Sequence, residues 1–307
     1  MSDGRWDDAP WVLPDGTLPS AAAGGRVLLV LGKGGVGRTV AAAVIARAAA
    51  VDGLRVLVIG LDGRRTLTEL CRGSDVTVRM VSAGSALEDY LLDQGFGGFA
   101  RRLAESGIIE VVGAAAPGIH DLVVLGKVKQ FANEGRWDLI VVDAPAAGHA
   151  TSMLTSVDGL LGIVDGGPIR EQAVAVRAML RDPVRSAAVL VTLPETTPVS
   201  ESLELAAITR DPVGVAVAAG IVSAVEPVLD LPPMTALGSG RAAKGVAPAR
   251  AALERGLSTA EVTRESISRF VDGLGAPVAR LPRLPVAGVD AEDAALLAGI
   301  LRAGGLA

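Results

Sequence analysis

The chain has 307 residues, half of them hydrophobic, and a net charge of −5. That length buries a large core, in one big α/β domain or one domain plus a subdomain. The acidic balance argues against bulk attraction to nucleic acid or an anionic membrane, which needs a dense basic surface.

Residues 1–24 hold several Pro and Gly and show no hydrophobic period, so they read as a loose N-terminal arm despite Trp6 and Trp11. The start is acidic and polar rather than basic and then apolar, so no signal peptide is expected. No run of about 20 uncharged apolar residues appears, so no membrane span is expected and the cytoplasm is the expected compartment. Alternation then begins. Arg26–Leu31 is a short apolar run that predicts a buried strand. A glycine-rich loop comes next, and an Ala-rich helix from Thr39 to about Asp52, stopped by Gly53. Arg55–Gly60 predicts a second strand and Val76–Ser82 an edge strand. Residues 85–135 read as mostly helical, interrupted near Pro117-Gly118. Asp138–Val142 predicts a strand ending in Asp143, followed by strands at Ala187–Leu193, Val213–Ala218 and Val278–Leu281. Short hydrophobic strands separated by helices imply βαβ units. The expected fold is a doubly wound, mostly parallel α/β sheet, in one domain over residues 25–307 with a helical subdomain around 85–135. Ligands in such sheets bind at the carboxyl ends of the strands.

The loop after the first strand is Gly32-Lys33-Gly34-Gly35-Val36-Gly37-Arg38-Thr39. It fits the phosphate-loop pattern G-x-x-x-x-G-K-[ST] everywhere except at the lysine, which is Arg38. Glycines let successive N–H groups point at phosphate oxygens, and a helix start adds its positive end. Gly32, Gly34, Gly35, Val36, Gly37, Arg38, Thr39 and Val40 are therefore the expected phosphate-lining residues, with the Thr39 hydroxyl on Mg²⁺. Arg38 keeps the charge, but its planar fork is bulkier than an ammonium and does not substitute freely for a point charge.

The run from Lys33 to Thr39 resembles the deviant phosphate loop K-G-G-x-G-K-T of the ArsA, ParA/MinD and nitrogenase-iron-protein group. The resemblance is nearest to ArsA-type (arsenite-pump and guided-entry) ATPases, and extends over about residues 26–300. It implies a P-loop NTPase fold, ATP and Mg²⁺ as ligands, and a Lys33 that reaches across a dimer interface to a neighbour's nucleotide. It implies that Asp62, matching the aspartate of the family's D-P-A-H-N/S-L, positions the attacking water and lies near the metal ion; only Asp62 and Leu67 of that motif match here. It implies that Asp143, opening Asp143-Ala144-Pro145-Ala146-Ala147-Gly148-His149, holds Mg²⁺ through water ahead of a switch segment. His149 is expected to pack or cap there rather than act as a base. Pro194 and Glu195 match a loop near the adenine. The asparagine that family members place after the strand at Val213–Val217 has no counterpart in Ala218-Ala219-Gly220.

Other branches lack their residues. One cysteine, Cys71, cannot build a metalloid triad, a C-x-x-C zinc clip or a cluster site, and its ordinary reading is a small half-buried apolar residue. The C-terminal stretch from Asp290, with Leu296, Leu297, Ile300 and Leu301, reads as a packing helix rather than a basic membrane anchor. The leading expectation is an Mg-ATP-dependent dimer, homomeric or with a second ArsA-like chain, acting on a protein partner. The alternative is a non-hydrolysing subunit that lends Lys33 in trans to a partner's site.

Overall fold

Every residue of the first strand, β1 (Arg26–Gly32), is buried. Side chains alternate faces along a strand. Val27, Leu29 and Leu31 enter one core cluster and Leu28 and Val30 the other. A run without polar alternation is what a strand covered on both faces requires. The same division holds for Leu57 and Ile59 against Val56 and Val58, and for Ile140 and Val142 against Leu139 and Val141.

The computed structural model describes residues 9–13, 16–20, 24–61, 63, 65–93, 118–226 and 243–304. After β1 come α1 (Arg38–Val51), β2 (Val56–Gly60), α2 (Thr66–Leu70), β3 (Val76–Met80) and α3 (Ala83–Asp93). The chain continues as α4 (Ile119–Asn133), β4 (Leu139–Asp143), α5 (Ala147–Leu161), α6 (Gly167–Arg181) and β5 (Ser186–Thr192). It ends in α7 (Thr196–Arg210), β6 (Ala216–Val225), α8 (Ala243–Leu274), β7 (Val278–Pro282) and α9 (Ala291–Arg302). The seven strands found among the described residues form one sheet in the order β3-β2-β4-β1-β5-β6-β7, and every neighbouring pair is parallel. The expected α/β class is the observed one. The centre of the expected helical subdomain, residues 94–117, lies outside the described residues.

Alanine, the best helix former, fills α1, and Ala41–Ala49 are buried along it. Its small side chains let it lie close on the sheet while α9 covers its other side. Gly53, at φ 88°, stops it in the left-handed region where glycine carries no Cβ penalty. Asp290 caps α9 by accepting from the N–H groups of Glu292 and Asp293, and the Asp293 carboxylate accepts from the Asp290 N–H. Leu297 and Leu301 are buried in this helix, whereas Leu296, read with them from sequence, is exposed. No helix among the described residues is long and apolar enough to cross a membrane.

Two expectations change. The arm is not loose throughout: Trp11 is 2 % exposed and packs in the α1 core cluster. Arg26 fastens that segment, donating to the Val12 carbonyl at 2.6 Å; Trp6 lies outside the described residues. The sixth strand begins later and runs further than Val213–Ala218, so Ala218-Ala219-Gly220 is mid-strand and the carboxyl end falls at Ser223–Val225.

Candidate functional site

The parallel sheet brings the carboxyl ends of β1, β4, β5, β2 and β6 to one edge. The glycine-rich loop leaves β1 there. Gly32 is required by packing, because a Cβ on it would stand 2.5 Å from the Val191 carbonyl oxygen. Gly35 and Gly37 have φ of 87° and 88°, values that side chains disfavour. Gly34 and Gly35 face open space, with nothing within 4 Å of where a Cβ would sit. Between them and the helix, the Val36 side chain is 1 % exposed and anchors the loop in the core. Gly37 precedes α1 without a side-chain cap on the helix's first N–H groups. Open glycines followed by an uncapped helix start are the features on which a phosphate-binding loop relies.

Lys33 and Arg38 both extend from this loop, and both meet acceptors of the same chain. The Lys33 ammonium pairs with Glu201 of α7 at 2.5 Å, with its side chain about half exposed (52 %). The Arg38 guanidinium donates to the Ala144 carbonyl and, through Nε, to the Lys33 carbonyl at 3.3 Å. Ala144 follows Asp143, the last residue of β4, which is 2 % exposed and paired in register with Val30 of β1 and Gly60 of β2. Arg38 thus joins the loop to the segment that leads from Asp143 into α5. Thr39 lies in the first turn of α1 and Val40 beside it, both half-buried. A threonine hydroxyl and a carboxylate are hard oxygen donors of the kind Mg²⁺ takes, so the residues present fit a Mg-nucleotide.

Asp62 lies outside the described residues; its neighbour Leu61 donates its N–H to the Asp143 carbonyl at 3.3 Å. Pro194 and Glu195 follow β5, with Glu195 exposed at the start of α7. His149 is exposed in the first turn of α5. Burial pushes the carboxyl of Asp121, at the start of α4, above the ordinary range, against the opposing influence of nearby Ser156, His120 and His149.

Two residues escaped sequence reasoning. Glu201 carries no signal, being one more charge on a helix surface. Ser223, at the end of β6, donates to the Val36 carbonyl at 2.6 Å. The strand's true end would have pointed to it.

The model of the CobQ/CobB/MinD/ParA nucleotide binding domain matches residues 27–289. ATPase BagA of Mycobacterium tuberculosis is 31 % identical over 209 residues, which cover 61 % of each chain. ATPase GET3B of Arabidopsis thaliana is 25 % identical over 240 residues, covering 57 % of this chain and 58 % of its own. ATPase ARSA1 of Chlamydomonas reinhardtii is 24 % identical over 272 residues, covering 63 % of this chain and 35 % of its own. The chain spans about three fifths (61 %) of the length of the mycobacterial relatives it matches. The fold, the loop and these similarities agree: the chain belongs to the CobQ/CobB/MinD/ParA nucleotide-binding domain family and, within it, is similar to ArsA-like P-loop ATPases.

Proposed function

We propose that this chain binds Mg-ATP in the cytoplasm and, as a dimer, couples its hydrolysis to a conformational change acting on a protein partner. The observation that carries the reading is the open space at Gly34 and Gly35, between the uncapped start of α1 and the end of β4 at Asp143. Gly32, Gly34, Gly35, Val36, Gly37, Arg38, Thr39 and Val40 line the phosphates, and Pro194 and Glu195 flank the nucleotide. Thr39, Asp143 and Asp62 serve the metal ion, which when bound neutralises phosphate charge. Asp62 positions the attacking water, and Lys33 serves the neighbour's nucleotide. Phosphoryl transfer depends almost wholly on such positioned charge. The Arg38–Ala144 bond supports the conformational part, because it ties the phosphate loop to the segment after Asp143. Light scattering of the purified chain with and without Mg-ATP tests this. A dimer that forms or tightens with nucleotide is expected; a monomer that binds no nucleotide contradicts it.

A second reading is favoured by Arg38 itself, which spends its guanidinium on protein carbonyls. The chain would then be a weakly active or non-hydrolysing subunit, lending Lys33 to the site of a second ArsA-like ATPase. An active homodimer excludes that reading.

A further inference from the structure

We propose that Ser223 is a positioning residue of the phosphate loop, holding its Val36–Gly37 segment in nucleotide-ready shape from a strand two places away. The inference rests on the reading of that loop as the Mg-ATP site. The Ser223 hydroxyl lies 2.6 Å from the Val36 carbonyl oxygen and 3.2 Å from that of Thr192. A hydroxyl has one proton to donate, so Val36 takes the main bond and Thr192 the longer leg of a shared one. These contacts join the carboxyl ends of three adjacent strands, β1, β5 and β6.

The chain is specially shaped at this point. Ala224 has φ 54°, and among the described residues it is the one non-glycine at positive φ. The pairing of β6 with β7 shifts register between Val222 and Val225. An L-residue in the left-handed region is unfavourable and persists where its surroundings over-determine it. The kink comes directly after Ser223, at the strand end that meets the loop.

The segment it grips is the one that most needs holding. Gly34, Gly35 and Gly37 give the loop wide conformational freedom. Val36 is fixed twice, by its buried side chain and by the Ser223 bond to its carbonyl. Gly37 lies against the same hydroxyl, its absent Cβ position being 3.5 Å from Ser223 Oγ. A loop ordered in advance loses less entropy when its N–H groups take up phosphate.

The test measures binding of a fluorescent ATP analogue with Mg²⁺ to the full chain, and urea unfolding without nucleotide, for the unaltered protein, Ser223→Ala and Ser223→Thr. Losing one neutral hydrogen bond predicts roughly 3- to 10-fold weaker nucleotide binding in Ser223→Ala, restored in Ser223→Thr. A purely structural hydroxyl would lower the urea midpoint of Ser223→Ala and leave affinity unchanged, which overturns the proposal. Should Ser223→Ala fail to fold, Ser223→Cys, a weak donor of similar size, carries the same expectation and the same contradiction. Failure of the unaltered chain to bind the analogue overturns the site reading and this inference with it. Normal binding by the unaltered chain together with normal binding by Ser223→Ala overturns this inference alone.

Discussion

The Lys33 ammonium lies 2.5 Å from the Glu201 carboxylate, so the cation proposed to serve a neighbouring subunit is held by its own chain. A lysine cannot reach across an interface while it keeps this partner. Exposed pairs of this kind are worth ~0–1 kcal/mol, and 1 kcal/mol is about fivefold in an equilibrium. Glu201→Gln is therefore expected to raise the ATPase rate, or the affinity of nucleotide-dependent dimerisation, by up to about fivefold. The gain should shrink as salt rises and screens the pair in the unaltered protein. A lower rate would mean that Glu201 aids catalysis instead of storing Lys33.

The glycines of the loop separate into two kinds. Gly34 has open space at its Cβ position, whereas a Cβ on Gly32 would press against the Val191 carbonyl. Gly34→Ala should leave stability within about 0.5 kcal/mol of the unaltered chain and weaken Mg-nucleotide binding about tenfold or more. Gly32→Ala should cost about 1–3 kcal/mol in urea unfolding, as overpacking does. Normal nucleotide binding by Gly34→Ala would show that the open space is not a phosphate cradle.

Arg38 can be tested against lysine. An ammonium lacks the planar fork that takes the Ala144 and Lys33 carbonyls. Arg38→Lys is expected to raise the hydrolysis rate about tenfold, about 1.4 kcal/mol of barrier. A fall in rate would assign Arg38 a positive role that lysine cannot fill.

Cys71 is buried beneath α1, and burial pushes its thiol up to about 11 from an ordinary 9.0. The folded state therefore holds the proton more tightly than the unfolded one. The resulting stability is intact below about pH 9 and is lost as pH rises toward 11. Cys71→Ala should flatten that alkaline decline. In the native protein at pH 8 an aromatic disulfide reagent should react only after unfolding, and rapid native labelling would contradict the burial.

The central strands β1, β2, β4 and β5 were legible because each is a largely apolar run too short for a helix, and the glycine-rich loop because its glycines, helix start and threonine are adjacent in sequence. The end of β6 was not. Gly220 resembles a turn residue in sequence, but it is there for packing: a Cβ on it would meet Leu274 and Phe270 of α8 at 2.6 and 2.7 Å. That misplaced end hid Ser223. Trp11 was hidden differently, since one aromatic in a Pro- and Gly-rich segment has no period. What fixes it is the distant Arg26–Val12 contact together with burial against α1. Glu201 and Lys33 are 168 residues apart, and only the fold makes them neighbours.

The most direct test of action by Lys33 in a self-sufficient dimer is the steady-state Mg-ATPase rate of the purified chain beside Lys33→Ala. The expected result is a measurable rate that falls to background in the variant, with Arg38 tolerated in the phosphate loop. An undiminished rate in Lys33→Ala would contradict the proposed role of Lys33. No rate in either, with nucleotide still bound, would contradict a self-sufficient enzyme and leave the two-subunit reading in its place.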